Sequence, residues 1–571
     1  MGRTMRVNMQ ALSVTEDVNN GGHSGLGGRG LTSRIVLDEV RATCDPLGPD
    51  NKMVFAPGLL GGIALTSAGR LSVGGKSPLT GGIKEANAGG IVGNQLARLG
   101  ISAIVVEDRP SGKDDWYLLK VDRNGGTLLP AGDIVGLGTH ATVARLQERF
   151  GKKAGICCIG QAGEKRMRAA SVAVTDILNQ PNRHAARGGL GAVMGSKQLK
   201  AVVVDDSGAS RRTGADDEAL KREVAAFAKA IIDNPKTKNQ ALYGTASIVK
   251  ACNSIGIFPT RNFSSGQFEH ALELTGEKIY EICTGRGGEG NPTVSCMNPC
   301  VIKCGNIFPD ALGKQVVSTL QYETIGLMGS NLGMTNLDAV AVLNALCNDI
   351  GLDTIEMGAA LGVAAEAGLL EWGDVQQAAR LLKEVAEATP VGRVLGQGAA
   401  VTGAVFGVER APVVKGQAMP AYDPRSLKGN GVTYATSPMG ADHTAGNAFG
   451  SRDKVNQLQA AGQVDLSRGL QVFAAMLDSL GLCIFARQPV LEDPTMLVNM
   501  VNYLYGWTWT KETLSDLGRK TVGFELEFNR RAGFTRADDR LPDYMYTEKL
   551  PPHNVVFDVT DEEMAQVWPD R

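Results

Sequence analysis

Hydrophobic positions change their period along the chain. Through the first 206 residues they come in short runs, KMVFAPG (52–58), SAIVVED (102–108), WYLLKVD (116–122) and KAVVVD (200–205), separated by Gly, Pro and Asp. Runs of this length between turn formers predict β-strands. The polar stretch DDSGASRRTGADDE (205–218) interrupts them and reads as a linker. Beyond it, ALKREVAAFAKAIID, NLDAVAVLNALCNDIG and VQQAARLLKEVAEA carry apolar residues three and four apart, which predicts amphipathic helices. Asp353 followed by Glu356 predicts a further helix that opens on a capping box. A Gly- and Pro-rich loop near 407–432 introduces a third region, centred on LSRGLQVFAAMLDSLGLC and again mostly helical. The C-terminal segment is charged and dotted with proline, which suits a wrapping tail. The pattern predicts an α+β chain: a β-rich domain over 1–206, a helical domain over 207–412 and a second mainly helical domain over 413–571.

Composition narrows the function. There are 58 Lys and Arg against 60 Asp and Glu in 571 residues, so the basic excess that nucleic acid binding requires is missing. Glycine is the outlier: 72 residues, about twice average usage. The glycines concentrate before residue 200, in runs such as GGHSGLGGRG and SPLTGGIKEANAGGIVGN. Glycine reaches positive φ and lets a ligand approach the main chain, so a large ligand held by backbone groups is expected there. No apolar run is long enough for a membrane span, and Met1–Gln10 has no apolar signal core. Ten irregularly spaced cysteines in a chain of this size argue against a disulfide framework, and a reduced, cytoplasmic setting is expected.

Cys296, Cys300 and Cys304 recur at every fourth residue in SCMNPCVIKCGN (295–306). Pro299 within the run and Gly305 after it predict a loop around a ligand rather than a helix. Three clustered thiols suit an iron–sulfur cluster or zinc, with unligated thiols as the plain alternative. Structural zinc pairs two short Cys knuckles, and no second knuckle is present. A radical-SAM signature has a shorter last gap and calls for a barrel. A four-thiol cluster needs one more cysteine. Cys347 lies on an apolar helix face and reads as a buried hydrophobe, whereas Cys283 and Cys483 are equal candidates on sequence alone.

Ten stretches carry a resemblance. In order they are GLGGRGLTSRIV, KMVFAPGLLGG, SAGRLSVGGKSPLTGG, KEANAGGIVGNQLARLGISAIVVE, RHAARGGLGAVMGSKQLKAVVV, SCMNPCVIKC, QYETIGLMGSNLG, CNDIGLDTIEMG, MPAYDPRSLKGNGVTYATSPMGADHTAG and LDSLGLCIFA. Together they resemble the aldehyde:ferredoxin oxidoreductase family of tungsten and molybdenum enzymes, collinearly from about residue 21 to about residue 490. The resemblance implies the fold of that family, with a β-rich, pterin-binding N-terminal domain. It implies two pyranopterins holding one tungsten or molybdenum, and a neighbouring 4Fe-4S cluster that passes electrons outward. The family's fourth cluster ligand lies in a D-x-x-G-L-C motif, matched by Asp478–Cys483, which favours Cys483 over Cys283. Arg70, Asn87 and Gly89 match positions at the cofactor. A magnesium bridging the pterin phosphates would take Asn87 and a main-chain carbonyl from the Arg187, Gly188, Gly189 stretch, with Gly188 the candidate. Asp349, Asp353 and Asp478 match carboxylates that accept hydrogen bonds from pterin nitrogens.

Glu323 in QYETIG and His443 in GADHT match the residues beside the metal. Glu323 is the candidate general base if burial raises its pKa, and His443 the candidate donor to the substrate carbonyl. Each residue also has a plain reading: Asp353 as a helix cap, Arg70 in a surface ion pair, Glu323 as an exposed carboxylate, His443 as structural. The cysteine spacing departs from the family archetype, whose first gap is two residues, and this marks a divergent subgroup. No histidine occurs between His270 and His443, so the Glu/His metal bridge that joins subunits in some members is not expected, although a homodimer by other contacts is compatible. Without a flavin, nicotinamide or second cysteine cluster, electrons must leave to ferredoxin or a small iron–sulfur subunit. The expected reaction is aldehyde oxidation. The alternatives are a same-fold reductase of an acid, thioester or aromatic ring, or a non-catalytic electron-transfer subunit.

Overall fold

The computed structural model describes residues 2–17, 23–112 and 114–570. Gly21 and Gly22 of the first glycine run therefore lie outside the described residues.

The strand-rich region is one arrangement built twice. Strands β1 (Arg3–Asn8), β2 (Ser13–Asp17), β3 (Met53–Pro57), β4 (Leu71–Lys76), β5 (Ile83–Ala88) and β6 (Ile101–Glu107) form a sheet ordered β2-β1-β6-β3-β4-β5. Strands β7 (Tyr117–Asp122), β8 (Gly125–Pro130), β9 (Gly155–Cys158), β10 (Val172–Val174), β11 (Arg183–Ala185) and β12 (Leu199–Val204) form a second, ordered β8-β7-β12-β9-β10-β11 when read from that edge. Adding six to each strand number converts the first order into the second. The parallel pair also repeats, β1 with β6 and β7 with β12. So do the helices: Gly28–Glu39 follows β2 as Thr139–Phe150 follows β8, and Val92–Arg98 precedes β6 as Leu190–Ser196 precedes β12.

The strand runs look uniformly apolar because both faces are covered. In β3, Met53 and Phe55 enter the core shared by the two sheets, while Val54 and Ala56 face the cluster under helix Gly28–Glu39. In β12, Val202 and Val204 enter the shared core while Ala201 and Val203 join the cluster that includes Val143 and Leu146 of helix Thr139–Phe150. Period-two alternation is present, but each face finds an apolar partner.

The rest is mainly helical. The predicted helices are observed at Asp217–Asp233, Leu337–Ile350, Val375–Glu387 and Gln463–Leu480. Asp353 caps helix Thr354–Glu366 by accepting from Ile355 N at 3.0 Å. The capping box is not closed, however. Glu356 instead accepts from Ala399 N (3.0 Å) and Ala418 N (2.9 Å), and its burial pushes its pKa up to about 7. One apolar core runs from Ala162 to Val567 and crosses residue 412 without a break. Phe557, Val559, Met564 and Val567 of the tail are buried in it. Among the described residues no helix is long and apolar enough to cross a membrane, and all ten cysteines are free thiols.

Candidate active site

The three spaced cysteines sit on a hairpin loop. Strands Asn291–Val294 and Gly305–Pro309 pair antiparallel, with Val294 opposite Gly305, and the intervening residues form bends rather than a helix. Cys483 arrives from another direction, just past the C-terminus of helix Gln463–Leu480. That helix ends on Gly481 in the left-handed region (φ 76°), with Gly481 N bonded to Asp478 O and Leu482 N to Leu477 O, the usual glycine stop. Ser67 ties the two together: its N–H donates to Pro299 O (3.0 Å) and its carbonyl accepts from Cys483 N (2.9 Å). Its hydroxyl lies 3.6 Å from Cys300 Sγ, and Thr66 Oγ1 accepts from Val301 N at 3.0 Å.

The four thiols are electrostatic neighbours. Burial pushes Cys296 up to about 11, with Cys483 and Cys300 adding to the rise and Arg183 and Arg70 opposing it. Cys304 is raised well above its ordinary value by burial first, then by Cys296, Cys483 and Cys300. Among the described residues no three His, Cys, Asp or Glu side chains close on a single-ion site. Cys283 points elsewhere, its Sγ donating to Ile307 O at 3.3 Å, and Cys347 is buried in the helical core. A Cβ on Gly89 would lie 2.9 Å from Cys296 Sγ, so this glycine makes room for the cysteine loop.

The cofactor candidates fall into two groups. In the first, the Arg70 guanidinium binds Asn87 through Oδ1 and through the main-chain oxygen (3.0 Å), and Asn87 Nδ2 donates to Asp478 Oδ1 at 3.1 Å. Arg29, buried against Glu525 at 2.8 Å, reaches Asp478 at 3.3 Å. Burial pushes Asp478 up to about 6 despite Arg29, and pushes neighbouring Glu85 up to about 8, with the Asp478 charge adding to it. In the second group, Arg187 lies 3.3 Å from Asp353. Gly188 (φ 80°) and Gly189 (φ 74°) occupy left-handed positions, and the Gly188 carbonyl accepts from Ser77 Oγ at 2.8 Å. A Cβ on Gly188 would strike Lys84 at 2.3 Å.

Lys84, fully buried, pairs with Asp442 at 2.6 Å, and Asp442 Oδ1 lies 3.9 Å from His443 Nδ1. His443 Nε2 lies 3.4 Å from Glu323 Oε1, while Glu323 Oε2 accepts from Ala421 N at 2.8 Å. Burial raises the Glu323 pKa, against the pull of His443 and of that amide. Burial would also raise Asp442, but Lys84, Arg187 and His443 hold it well below the usual carboxylate range. Arg187 is within electrostatic reach of Asp353, Asp442 and Glu323, so the Glu323–His443 pair and the second group share one buried region. Nη1 of Arg187, Oε1 of Glu85 and Nδ1 of His443 are buried without a hydrogen-bond partner, while Arg187 Nε and Asp353 Oδ2 meet as an ion pair at 3.3 Å and Glu323 Oε1 meets His443 Nε2 at 3.4 Å, both too long for a good hydrogen bond. Unpaired buried polar atoms are costly in a protein alone, and a bound polar group with many heteroatoms would satisfy them.

Asp349 does not belong to this region. Its side chain is 48% exposed and pairs with His140 at 3.4 Å. The helix stop explains the difference. Gly351 ends helix Leu337–Ile350 as Gly481 ends Gln463–Leu480, and the residue three before each glycine is Asn348 in one and Asp478 in the other. Asn348 is buried and is the true counterpart of Asp478. Sequence reading also missed Lys84, Arg183 and Asp442. Arg183 is buried and donates to Thr319 Oγ1 at 3.1 Å, but nothing in a strand motif marks which charge will be enclosed.

The comparisons agree with this architecture. A family model described as the aldehyde ferredoxin oxidoreductase N-terminal domain matches residues 4–206, and one for domains 2 and 3 matches residues 222–568. The tungsten-containing aldehyde ferredoxin oxidoreductases of Thermococcus kodakarensis and Pyrococcus furiosus are 32% and 31% identical to the chain, each match covering 96% of it and 92% of the relative. An aliphatic sulfonate oxidoreductase WOR-like subunit of Pyrococcus furiosus is 26% identical over 96% of the chain and 88% of its own length. Among solved structures, the BamBC active-site complex of benzoyl coenzyme A reductase superposes with a TM-score of 0.81 at 19% identity, over 99% of this chain and 93% of that one; it shares the fold. By two family-model matches that together span nearly its whole length, and by relatives above 30% identity, the chain belongs to the aldehyde ferredoxin oxidoreductase family.

Proposed function

We propose that the chain is a tungsten- or molybdenum-pterin oxidoreductase. It oxidises an aldehyde to a carboxylic acid and passes electrons through a 4Fe-4S cluster, held by Cys296, Cys300, Cys304 and Cys483, to ferredoxin or a small iron–sulfur subunit. The observation that carries this reading is the Glu323–His443 pair, 3.4 Å apart, in the same buried region as the Arg187–Asp353 ion pair and the unpartnered Nη1 of Arg187. A subunit that only relayed electrons would have no use for a buried acid beside an imidazole.

In the net reaction, aldehyde and water give the acid, two protons and two electrons. The carbonyl carbon loses its C–H bond, gains a C–O bond and gives up two electrons, which leave one at a time. The metal–pterin group, when bound, supplies the two-electron sink. The chain supplies the rest. Glu323, as carboxylate, accepts the proton released as the new C–O bond forms. His443 holds the carbonyl oxygen through a ring N–H, with the Lys84–Asp442 pair 3.9 Å from its Nδ1. Arg70, Asn87 and Asp478 would hold one pterin, and Arg187 and Asp353 the other. Asn87 and the Gly188 carbonyl are the candidates for a magnesium between the phosphates. Anaerobically purified, metal-loaded protein should reduce benzyl viologen when given an aldehyde. No reduction with any aldehyde, at full iron and tungsten or molybdenum content, would refute the reading.

A further inference from the structure

The repeat that builds the two sheets extends to side chains pointing away from the core they share. Arg70 precedes β4 as Ser171 precedes β10. Each gives its main-chain N–H to the glycine that stops a helix, Arg70 to Gly481 O at 3.1 Å and Ser171 to Gly351 O at 2.9 Å. Register carries the match to the next strand. Leu71 faces Ala88 and Ser72 faces Asn87, as Val172 faces Ala185 and Ala173 faces His184. Ala86, Ala88 and Ala185 enter the shared core, so alternation turns Asn87 and His184 to the other face. His184 thus holds in the second half the position of Asn87 in the first.

The contacts follow the same plan. The Arg70 guanidinium binds Asn87, and the Ser171 hydroxyl lies 2.8 Å from His184 Nδ1. A turn with a left-handed glycine, Gly25 (φ 79°) or Gly136 (φ 81°), leads into helix Gly28–Glu39 or Thr139–Phe150. The first residue of each helix meets the carbonyl three residues before the stop glycine. A Cβ on Gly28 would lie 2.2 Å from Asp478 O, and Thr139 Oγ1 donates to Asn348 O at 2.9 Å. Arg70, Asn87 and Asp478 therefore have Ser171, His184 and Asn348 as their matches. The two sets differ in charge. The first holds a guanidinium and a carboxylate, whereas the second is neutral, because burial, with His140 and Arg183 adding to it, pushes His184 down to about 3. His184 Nε2 is buried with no hydrogen bond of good geometry, and the Pro181 carbonyl is the main-chain acceptor acting on the ring.

We propose that Ser171, His184 and Asn348 bind the second pterin in the place that Arg70, Asn87 and Asp478 take at the first, an uncharged hydrogen-bonding set where the first site is ionic. They join Arg187 and Asp353 there. This rests on the two-pterin part of the function proposed above. A pterin ring carries donors and acceptors side by side, and a neutral imidazole and a carboxamide each offer both. The test compares iron, tungsten or molybdenum, and pterin in anaerobically purified wild type and variants, and needs no turnover; pterin is released, oxidised and counted by fluorescence. His184→Leu should lower bound pterin and heavy metal about threefold or more, with iron content and the cluster's visible absorbance as in wild type. His184→Asn, which supplies the amide that the first half uses at this position, should recover most of the loss. Ser171→Ala, which releases the ring without removing it, should lose less than His184→Leu. Full pterin and metal content in His184→Leu would overturn the assignment. So would a loss in His184→Asn as deep as in His184→Leu, the mark of a packing role alone. Should the leucine variant fail to fold, full content in Ser171→Ala would overturn it. Wild-type protein holding iron but no pterin would instead remove the function reading, and this inference with it.

Discussion

The two halves of the N-terminal domain make the same backbone contacts and put different chemistry on them. In the first half, Ser67 O accepts from Cys483 N, Ala68 bridges Leu482, and Gly69 N donates to Gly481 O. In the second, Ala169 O accepts from Asp353 N, Ala170 bridges Leu352, and Ser171 N donates to Gly351 O. The matching positions are therefore Cys483 and Asp353, a thiol and a carboxylate at the same place on one scaffold. Around Cys483 stand three more thiols and Arg70, Asn87 and Asp478. Around Asp353 stand Arg187, Asp442 and, through Arg187, Glu323. On the proposed function, this duplicated frame would carry the electron exit on one side and the reaction pocket on the other.

The comparison breaks most visibly at Cys483. Cys483→Ala should abolish the cluster's visible absorbance and the reduction of an external acceptor; spectra identical to wild type would remove the thiol from the ligand set. On the opposite side, Glu323→Gln should cut kcat by roughly a hundredfold or more while iron content and absorbance stay normal. Its pH profile gives a second reading. Burial raises the Glu323 pKa, and a base works as the carboxylate, so wild-type activity should climb as pH rises through that raised value. The glutamine variant should lose this acid limb; a limb that persists would assign the titration to another group.

The shared scaffold is tested by a matched pair. A Cβ on Gly58 would lie 2.1 Å from Gly481 N, and one on Gly160 would lie 2.2 Å from Ile350 O. Gly58→Ala and Gly160→Ala should each destabilise the fold by about 2–3 kcal/mol, because backbone must move in both. Thermal unfolding would check this, and a large cost in one half with none in the other would undo the equivalence. The smallest effect is expected at Asp349. Half-exposed and paired with His140, it should tolerate Asp349→Asn within about 0.5 kcal/mol and without loss of bound tungsten or molybdenum. Asn348→Leu, at the buried counterpart of Asp478, should lower the metal content.

Much of this was legible in the sequence. The strand runs were visible because turn formers bound them, and the cysteine loop because Pro299 and Gly305 forbid a helix there. The duplication was not, since strand order depends on pairing between segments that share no motif. The Asp349 match follows the carboxylate, whereas the register counted back from Gly351 and Gly481 leads to Asn348. Glu356 looked like a capping residue by its spacing, yet its carboxylate is engaged by amides 43 and 62 positions away. Lys84 and Arg183 are ordinary letters in short strands; only the layers packed on both sides enclose them.

The central claim is that four thiols and two facing sets of buried charges seat an iron–sulfur cluster beside a heavy-metal pterin. Elemental analysis of the anaerobically purified protein tests it most directly. The account predicts about four iron atoms and about one tungsten or molybdenum per chain, with iron lost and zinc not gained in Cys483→Ala. Iron with neither heavy metal, or stoichiometric zinc in place of iron, would contradict it.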